Sequence, residues 1–113
     1  MTSARLILTT AGSREEAQKL AAALVSSHLA ACVNITGAIE SHYWWSGQAE
    51  SANEHLLFIK TTASAVARVR EKIRELHSYE LPEFIVLNIE DGEARYLEWI
   101  AAAVRDNSSS DKP

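Results

Sequence analysis

The stretch ACVNITGAIESHYWWSGQAESANEHLLFIKTT, residues 31–62, is the part of the chain that decides the fold. Residues 31–45 alternate apolar and polar side chains and so predict a long strand, in which Gly37 predicts a bulge or bend. Residues 46–52 are small and polar, which predicts a hairpin loop. Residues 55–62 predict the returning strand, with apolar side chains on both faces. A long antiparallel hairpin is therefore expected in the middle of the chain.

Strands and helices are also predicted on either side of this hairpin. They are a strand at 4–10, a helix from Ser13 to about His28, a helix at 64–76, a strand at 84–89 and a helix at 93–104. The order β-α-β-β-α-β plus a C-terminal helix is typical of the α+β class. It predicts a ferredoxin-like split βαβ sandwich with a four-stranded antiparallel sheet. Residues 1–105 are expected to form one domain, and the polar tail 106–113 is expected to be disordered.

Composition and charge exclude several classes of function. The chain has 113 residues and a formal net charge of -4, which disfavours a nucleic-acid partner because such binding depends on clustered Lys and Arg. A single cysteine excludes an internal disulfide and a Cys-rich zinc site within one chain. No apolar run approaches a membrane span or a signal peptide core, so a cytoplasmic protein without a membrane partner is expected.

The second face of the predicted sheet has no obvious cover within the chain. Two helices pack on one face, yet the strands are apolar on both. The sequence is also rich in aromatic side chains that are candidates for an interface: Tyr43, Trp44, Trp45 and Trp99. Large apolar surfaces favour association, so an oligomer is expected. An aromatic platform for nucleic-acid bases is the alternative, but the negative charge disfavours it.

Six short motifs together resemble those of a known family. They are LAACVNI (29–35), Tyr-x-Trp-x-Gly (43–47), Glu54 with Leu57, Lys60-Thr61, His-x-Tyr-x-x-Pro-Glu (77–83) and YLEWI (96–100). In this order and spacing they are similar to the CutA family of divalent-cation tolerance proteins, and the likeness covers about residues 4–104. No phosphate-binding, hydrolase or metalloprotease motif is present, and no nucleophile lies beside a base.

The resemblance implies a homotrimer whose sheets surround a central axis and whose hairpin reaches a neighbour, an architecture shared with PII signalling proteins. It also implies a role in tolerance of divalent metals, copper above all, with copper or another divalent cation bound and with no enzymatic activity. Some members bind copper, and the cysteine of the family's LAAC motif is present in this chain as Cys32. The chain departs from some members by carrying Thr9 in place of a further cysteine, and His77 alone in place of two histidines. The alternatives are a PII-like small-molecule sensor and a structural or adaptor trimer.

Cys32 and His77 are therefore the candidate metal ligands. Cys32 is equally interpretable as a small core residue, and His77 as a cap of the helix at 64–76. His42 and His55 lie on the two arms of the hairpin and form a weaker candidate pair.

Lys60 lies in an apolar strand, where an unpaired ammonium is costly. Glu54, six residues away on the same strand face, and Glu83 are the candidate partners in an ion pair within or between subunits. The functional alternative is a site for an anion or small ligand at the subunit boundary, lined by Lys60, Tyr79 and Glu83.

Overall fold

The computed structural model describes residues 2–105, and the prediction for the tail 106–113 lies outside these residues. The elements are β1 (Ala4–Ala11), α1 (Arg14–Ser26), β2 (Cys32–Trp45), β3 (Gln48–Thr62), a 3-10 turn (Ala63–Ala65), α2 (Val66–Leu76), β4 (Ile85–Asn88) and α3 (Ala94–Ala103). The strands form one sheet in the order β2-β3-β1-β4, and each neighbouring pair is antiparallel. The predicted ferredoxin-like α+β fold is confirmed.

The core lies between one face of the sheet and helices α1 and α2. Strands β1 and β3 contribute Ile7, Leu57 and Ile59, which have no exposed surface. The helices contribute apolar side chains at helical spacing: Leu20 and Leu24 from α1, and Val69 and Ile73 from α2. Truncating one such side chain to Ala typically costs about 2–5 kcal/mol, so this layer provides much of the stability of the fold.

The predicted hairpin loop at 46–52 is wrong in length. The turn consists of Ser46 and Gly47 alone, because Trp45 pairs directly with Gln48. Both turn residues have positive φ angles, 51° and 77°, as in the tight two-residue turns that match the twist of a hairpin. The bulge predicted at Gly37 is confirmed by a register shift between Ile35 and Ala38.

The opposite face of the sheet, called here the open face, is only partly covered. Paired residues of an antiparallel sheet point to the same side, so the open face carries Leu6, Leu8, Phe58, Lys60, Ile85 and Leu87. Helix α3 covers part of it, because the Lys60 ammonium donates a hydrogen bond of 3.2 Å to the Tyr96 hydroxyl. Ile85 and Leu87 remain exposed.

Candidate functional site

A cavity of about 800 Å³ lies at one end of the open face, between the long hairpin and the segment that follows α2. Its lining is Thr10, 41–45, Glu54 and 79–85. Three carboxylates, from Glu54, Glu80 and Glu83, lie among these residues, and no Lys or Arg of the described chain does. We call this site the acidic cavity.

Glu54 is held in the acidic cavity by one hydrogen bond. The Tyr79 hydroxyl donates to Glu54 Oε2 at 2.7 Å, and Glu54 is only 8% exposed. Burial, together with this bond to a carboxylate, raises the pKa of Tyr79, so the phenol keeps its proton and remains a donor. Gly12 provides the space, because a Cβ atom there would lie 3.1 Å from the Tyr79 hydroxyl oxygen.

Glu83 is the second carboxylate of the acidic cavity and is half-buried. Burial raises the pKa of its carboxyl group, and the negative charge of Glu54 raises it further. Within residues 2–105, no hydrogen-bond donor or cation is paired with it. A positive charge between Glu54 and Glu83 would therefore relieve a repulsion that the single subunit leaves uncompensated.

His77 ends helix α2 but presents no free ring nitrogen. Its Nε2 donates to the Thr10 carbonyl oxygen at 2.6 Å, and its Nδ1 accepts from the Tyr79 backbone N–H at 3.1 Å. These bonds assign the neutral tautomer that carries its proton on Nε2. The side chain is fully buried and contacts the Tyr79 ring, with centroids 4.7 Å apart. His77 thus positions Tyr79, and binding a metal there requires breaking one of these bonds.

Beside His77, Glu16 ties helix α1 to the residues that follow α2. Its carboxylate accepts from the Ser78 N–H at 2.7 Å and from the Ser78 hydroxyl at 3.1 Å. Burial alone would raise the pKa of Glu16, but the hydrogen bonds from Ser78 leave it lowered. The N-terminus of α1 forms half of a capping box: the Ser13 hydroxyl accepts from the Glu16 N–H, while the Glu16 carboxylate bonds to Ser78.

Cys32 lies at the other end of the open face. It is half-buried, outside the core, and its thiol points to the Asn34 side-chain oxygen at 3.8 Å. Strand β3 gives a common scale for the two candidates. Cys32 pairs with Lys60 of this strand, whereas Thr10, whose carbonyl oxygen binds His77, pairs with Leu56. Four strand residues separate the two positions by about 13 Å. Cys32 and His77 of one subunit therefore do not converge.

Lys60 shares this end of the open face with Cys32 and does not line the acidic cavity. Its ammonium bonds to the Tyr96 hydroxyl and lies 5.5 Å from the centroid of that ring. No carboxylate of residues 2–105 forms an ion pair with it. Six residues of β3, a span of about 20 Å, separate Lys60 from Glu54. The structure thus brings Tyr79 and Glu83 together and leaves Lys60 apart.

The aromatic candidates occupy two places. Tyr43, Trp44 and Trp45 line the acidic cavity and are exposed, Trp44 by 76%. Trp99 is also exposed and stacks on Tyr96, with ring centroids 5.3 Å apart.

The histidines of the hairpin do not meet. His42 pairs with Glu40 at 2.6 Å, and His55 bonds to the Thr36 carbonyl oxygen at 2.9 Å. Across residues 2–105, no group of three or more His, Cys, Asp or Glu side chains is arranged to hold a metal ion.

From the sequence, Glu54 was a motif residue and a candidate partner for Lys60, and neither Glu54 nor Gly12 was predicted to shape a site with Tyr79. The available signal for Glu54 was a carboxylate in a strand that is otherwise apolar, because a buried charge needs a partner. No local signal links Gly12 to Tyr79, since the two are 67 positions apart and meet only in the folded chain.

This chain matches one protein-family model and is similar to several known proteins. The family model described as CutA1 divalent ion tolerance protein matches residues 5–103. The chloroplastic protein CutA 1 of Oryza sativa subsp. japonica is 39% identical over 102 residues, 90% of this chain and 58% of the relative. The divalent-cation tolerance protein CutA of Thermus thermophilus is 41% identical over 95 residues, 84% of this chain and 92% of the relative. The chain thus spans less than three fifths of the plant relatives, 58% and 56% of their lengths.

Solved structures with similar folds also have CutA names. The periplasmic divalent cation tolerance protein CutA from Archaeoglobus fulgidus is similar with a TM-score of 0.87 and 39% identity, over 90% of this chain and 99% of that chain. CutA1 from Oryza sativa is similar with a TM-score of 0.90 and 38% identity, over 93% of this chain and 96% of that chain. The likeness in backbone and sequence therefore extends over both the sheet and the acidic cavity.

Proposed function

The chain belongs to the CutA1 divalent ion tolerance family, and from that premise we propose that it supports tolerance by binding divalent cations directly. The proposed site is the pair of carboxylates in the acidic cavity, Glu54 and Glu83, and copper is the proposed cation. The role is binding rather than catalysis, because the family description concerns tolerance and names no reaction.

The observation that carries this proposal is the uncompensated charge of the acidic cavity. Burial and the charge of Glu54 hold the pKa of Glu83 above its ordinary value, so ionising both carboxylates is costly without a cation. A divalent cation supplies two positive charges where two carboxylates face one cavity. Among first-row divalent metals, Cu²⁺ generally binds a given oxygen or nitrogen site most tightly.

Cys32 remains an alternative ligand, for reduced copper. A thiolate suits Cu(I), and the thiol is half-buried rather than enclosed in the core. His77 is a less accessible ligand, because both of its ring nitrogens are engaged in hydrogen bonds.

We further propose that the chain functions as a homotrimer. The support is the exposed apolar surface: the aromatic residues 43–45 at the hairpin tip, Trp99 on α3, and the edge strand β4, where all four residues are exposed. Among residues 2–105, strand β4 pairs with β1 and with no other strand, so its other edge presents backbone groups that a neighbour can pair. Multi-angle light scattering should give three times the 12.5 kDa subunit mass, and a stable monomer would contradict the proposal.

The proposed location is the cytoplasm, where a single free cysteine stays reduced. No helix in the described residues is long and apolar enough to cross a membrane. One relative is named chloroplastic and one similar structure periplasmic, so fractionation of the native organism with an antibody is the appropriate measurement.

Cation binding is tested by calorimetric titration of the chelator-treated protein with Cu(II), and with Cu(I) under reductant. Removing one of two carboxylates removes a charged ligand, so Glu54→Gln and Glu83→Gln should each weaken Cu(II) binding by about tenfold or more. The matched control is Glu15→Gln, which removes an exposed carboxylate on α1, outside the acidic cavity.

The variants separate the possible sites. Loss of Cu(II) affinity in the cavity variants, with no change in Glu15→Gln, supports the proposal. Loss of Cu(I) affinity only in Cys32→Ser assigns reduced copper to the thiol instead. Absence of binding by the unaltered protein to either oxidation state refutes direct binding.

A further inference from the structure

The two ends of the open face carry charge of opposite sign, and neither end has a counter-ion among the described residues. At one end the acidic cavity holds Glu54 and Glu83, and no described cation is paired with them. At the other end the Lys60 ammonium donates to the Tyr96 hydroxyl in an exposed contact, and no carboxylate of the described residues forms an ion pair with it. Partly burying an unpaired charge is unfavourable, so the acidic end favours a cation, and Lys60 is an ammonium that has no counter-ion among the described residues.

These two ends do not neutralise each other within one subunit. Glu54 and Lys60 are six residues apart on the same strand, a separation of about 20 Å. That distance is well beyond the Debye length of about 8 Å at physiological ionic strength, so attraction between them is largely screened. Within residues 2–105 neither end has a counter-ion, so a neighbouring subunit is the natural source of each.

We propose that Lys60 of one subunit enters the acidic cavity of the next subunit and is the counter-ion of Glu83 and Glu54 there. The inference rests on the proposed homotrimer. The described residues that line the acidic cavity include no Lys or Arg, and in the trimer the neighbouring subunit would supply the missing cation. Each chain carries one acidic cavity and one Lys60, so a closed ring gives every cavity one ammonium.

Symmetry favours a second copy as the source of the ammonium. In a cyclic trimer each interface is heterologous, so a patch of one subunit meets a different patch of the next. Exposed apolar side chains flank both ends: Tyr43 and Ile85 beside the acidic cavity, and Tyr96 and Trp99 beside Lys60. The same contact that pairs the charges would remove these side chains from water.

A double-mutant cycle in the presence of EDTA tests the contact without any metal. The variants are Lys60→Met, Glu83→Gln and the double variant, and the readout is the trimer dissociation constant at fixed salt. Residues in contact couple, whereas distant residues give additive effects. For a close charge pair we expect the two effects to be non-additive by about tenfold or more. The matched control replaces Lys60→Met by Lys72→Met, a half-buried lysine on α2 that pairs with Glu75.

A charge-swapped variant shows whether weaker trimer assembly comes from the lost ion pair or from damage to the fold. The charge-swapped protein that combines Lys60→Glu with Glu83→Lys should assemble better than either single reversal. Coupling between Lys60 and Glu83, with none between Lys72 and Glu83, supports the inference. Additive effects in a protein that remains trimeric overturn it while leaving the trimer and cation binding intact. A monomeric unaltered protein overturns the inference together with the proposed trimer.

Discussion

Replacing Tyr79 with Phe tests the central hydrogen bond of the acidic cavity with the smallest possible change. The substitution removes one hydroxyl and keeps the ring that packs against His77. Within residues 2–105 that hydroxyl is the hydrogen-bond donor to the Glu54 carboxylate, at 2.7 Å. The variant therefore leaves a carboxylate that is only 8% exposed without its donor.

The expected cost follows from the charge and burial of Glu54. A hydrogen bond to a charged group contributes about 1.5–3 kcal/mol to stability, and an unsatisfied buried charge costs at least as much. Little water reaches Glu54 to replace the lost donor, and no apolar contact of the ring is removed. We therefore expect Tyr79→Phe to lower the free energy of unfolding at pH 7 by about 2–3 kcal/mol.

The assay is urea denaturation at fixed protein concentration, followed by tryptophan fluorescence. The control is Tyr43→Phe, an exposed tyrosine of the same cavity whose hydroxyl makes no hydrogen bond within residues 2–105 and whose loss should change stability by less than about 0.5 kcal/mol. In the Tyr79→Phe background, Glu54→Gln should recover part of the loss, because an amide costs less to bury than a carboxylate. Equal effects of the two Tyr→Phe changes would refute this account of the cavity.

Three further predictions concern single substitutions. Thr9→Val should raise the free energy of unfolding by about 1 kcal/mol, because its buried hydroxyl lacks a partner among the described residues. Thr61→Val should lower it by about as much, because its hydroxyl donates to a backbone carbonyl; urea denaturation that gave the two variants the same sign would contradict one of the two predictions. Gly12→Ala should displace the Tyr79 hydroxyl and destabilise the protein, and a loss that persists unchanged in Tyr79→Phe would exclude that cause. Glu16 has a lowered pKa in the folded state, so its stabilising contribution is present above its unfolded value of 4.5 and disappears as pH falls. Glu16→Gln should therefore lower the melting temperature at neutral pH but not in acid, and an equal deficit at both would oppose this assignment.

The fold was predictable from the sequence because its elements are marked by periodicity. The short apolar run at 56–59 and the helical spacing of Val66, Val69 and Ile73 each indicate one type of element. Once the order β-α-β-β-α-β is known, few antiparallel arrangements remain.

The hairpin turn was mispredicted because composition does not fix turn length. Small polar residues between 48 and 52 suggested a loop, but they face solvent in an extended strand that pairs fully with β2. Gly47 was the informative residue, since a two-residue turn needs positive φ at both positions.

The acidic cavity was only partly predictable, because its geometry depends on contacts between distant segments. Tyr79 and Glu83 were candidates since they lie together in one motif. The even spacing of Glu54 and Lys60 was correctly interpreted as a shared strand face. Spacing along a strand also implies distance, however, and six residues place Lys60 too far away to pair with Glu54 in the same chain.

In the two proposals, a divalent cation and the Lys60 ammonium of a neighbouring subunit compete for the same two carboxylates, Glu54 and Glu83. Cation binding and trimer assembly are therefore linked. In the single subunit the raised pKa of Glu83 means that a proton competes for the site. In the proposed trimer the neighbour's Lys60 takes that place with one positive charge, and a divalent cation must displace it to bind. Coupling between two binding events is reciprocal. If Lys60 weakens cation affinity by a given factor, cation binding must weaken the Lys60 contact by the same factor. A trimer that bound copper in the acidic cavity with no change in the strength of this contact would show that the ammonium and the metal do not share Glu54 and Glu83.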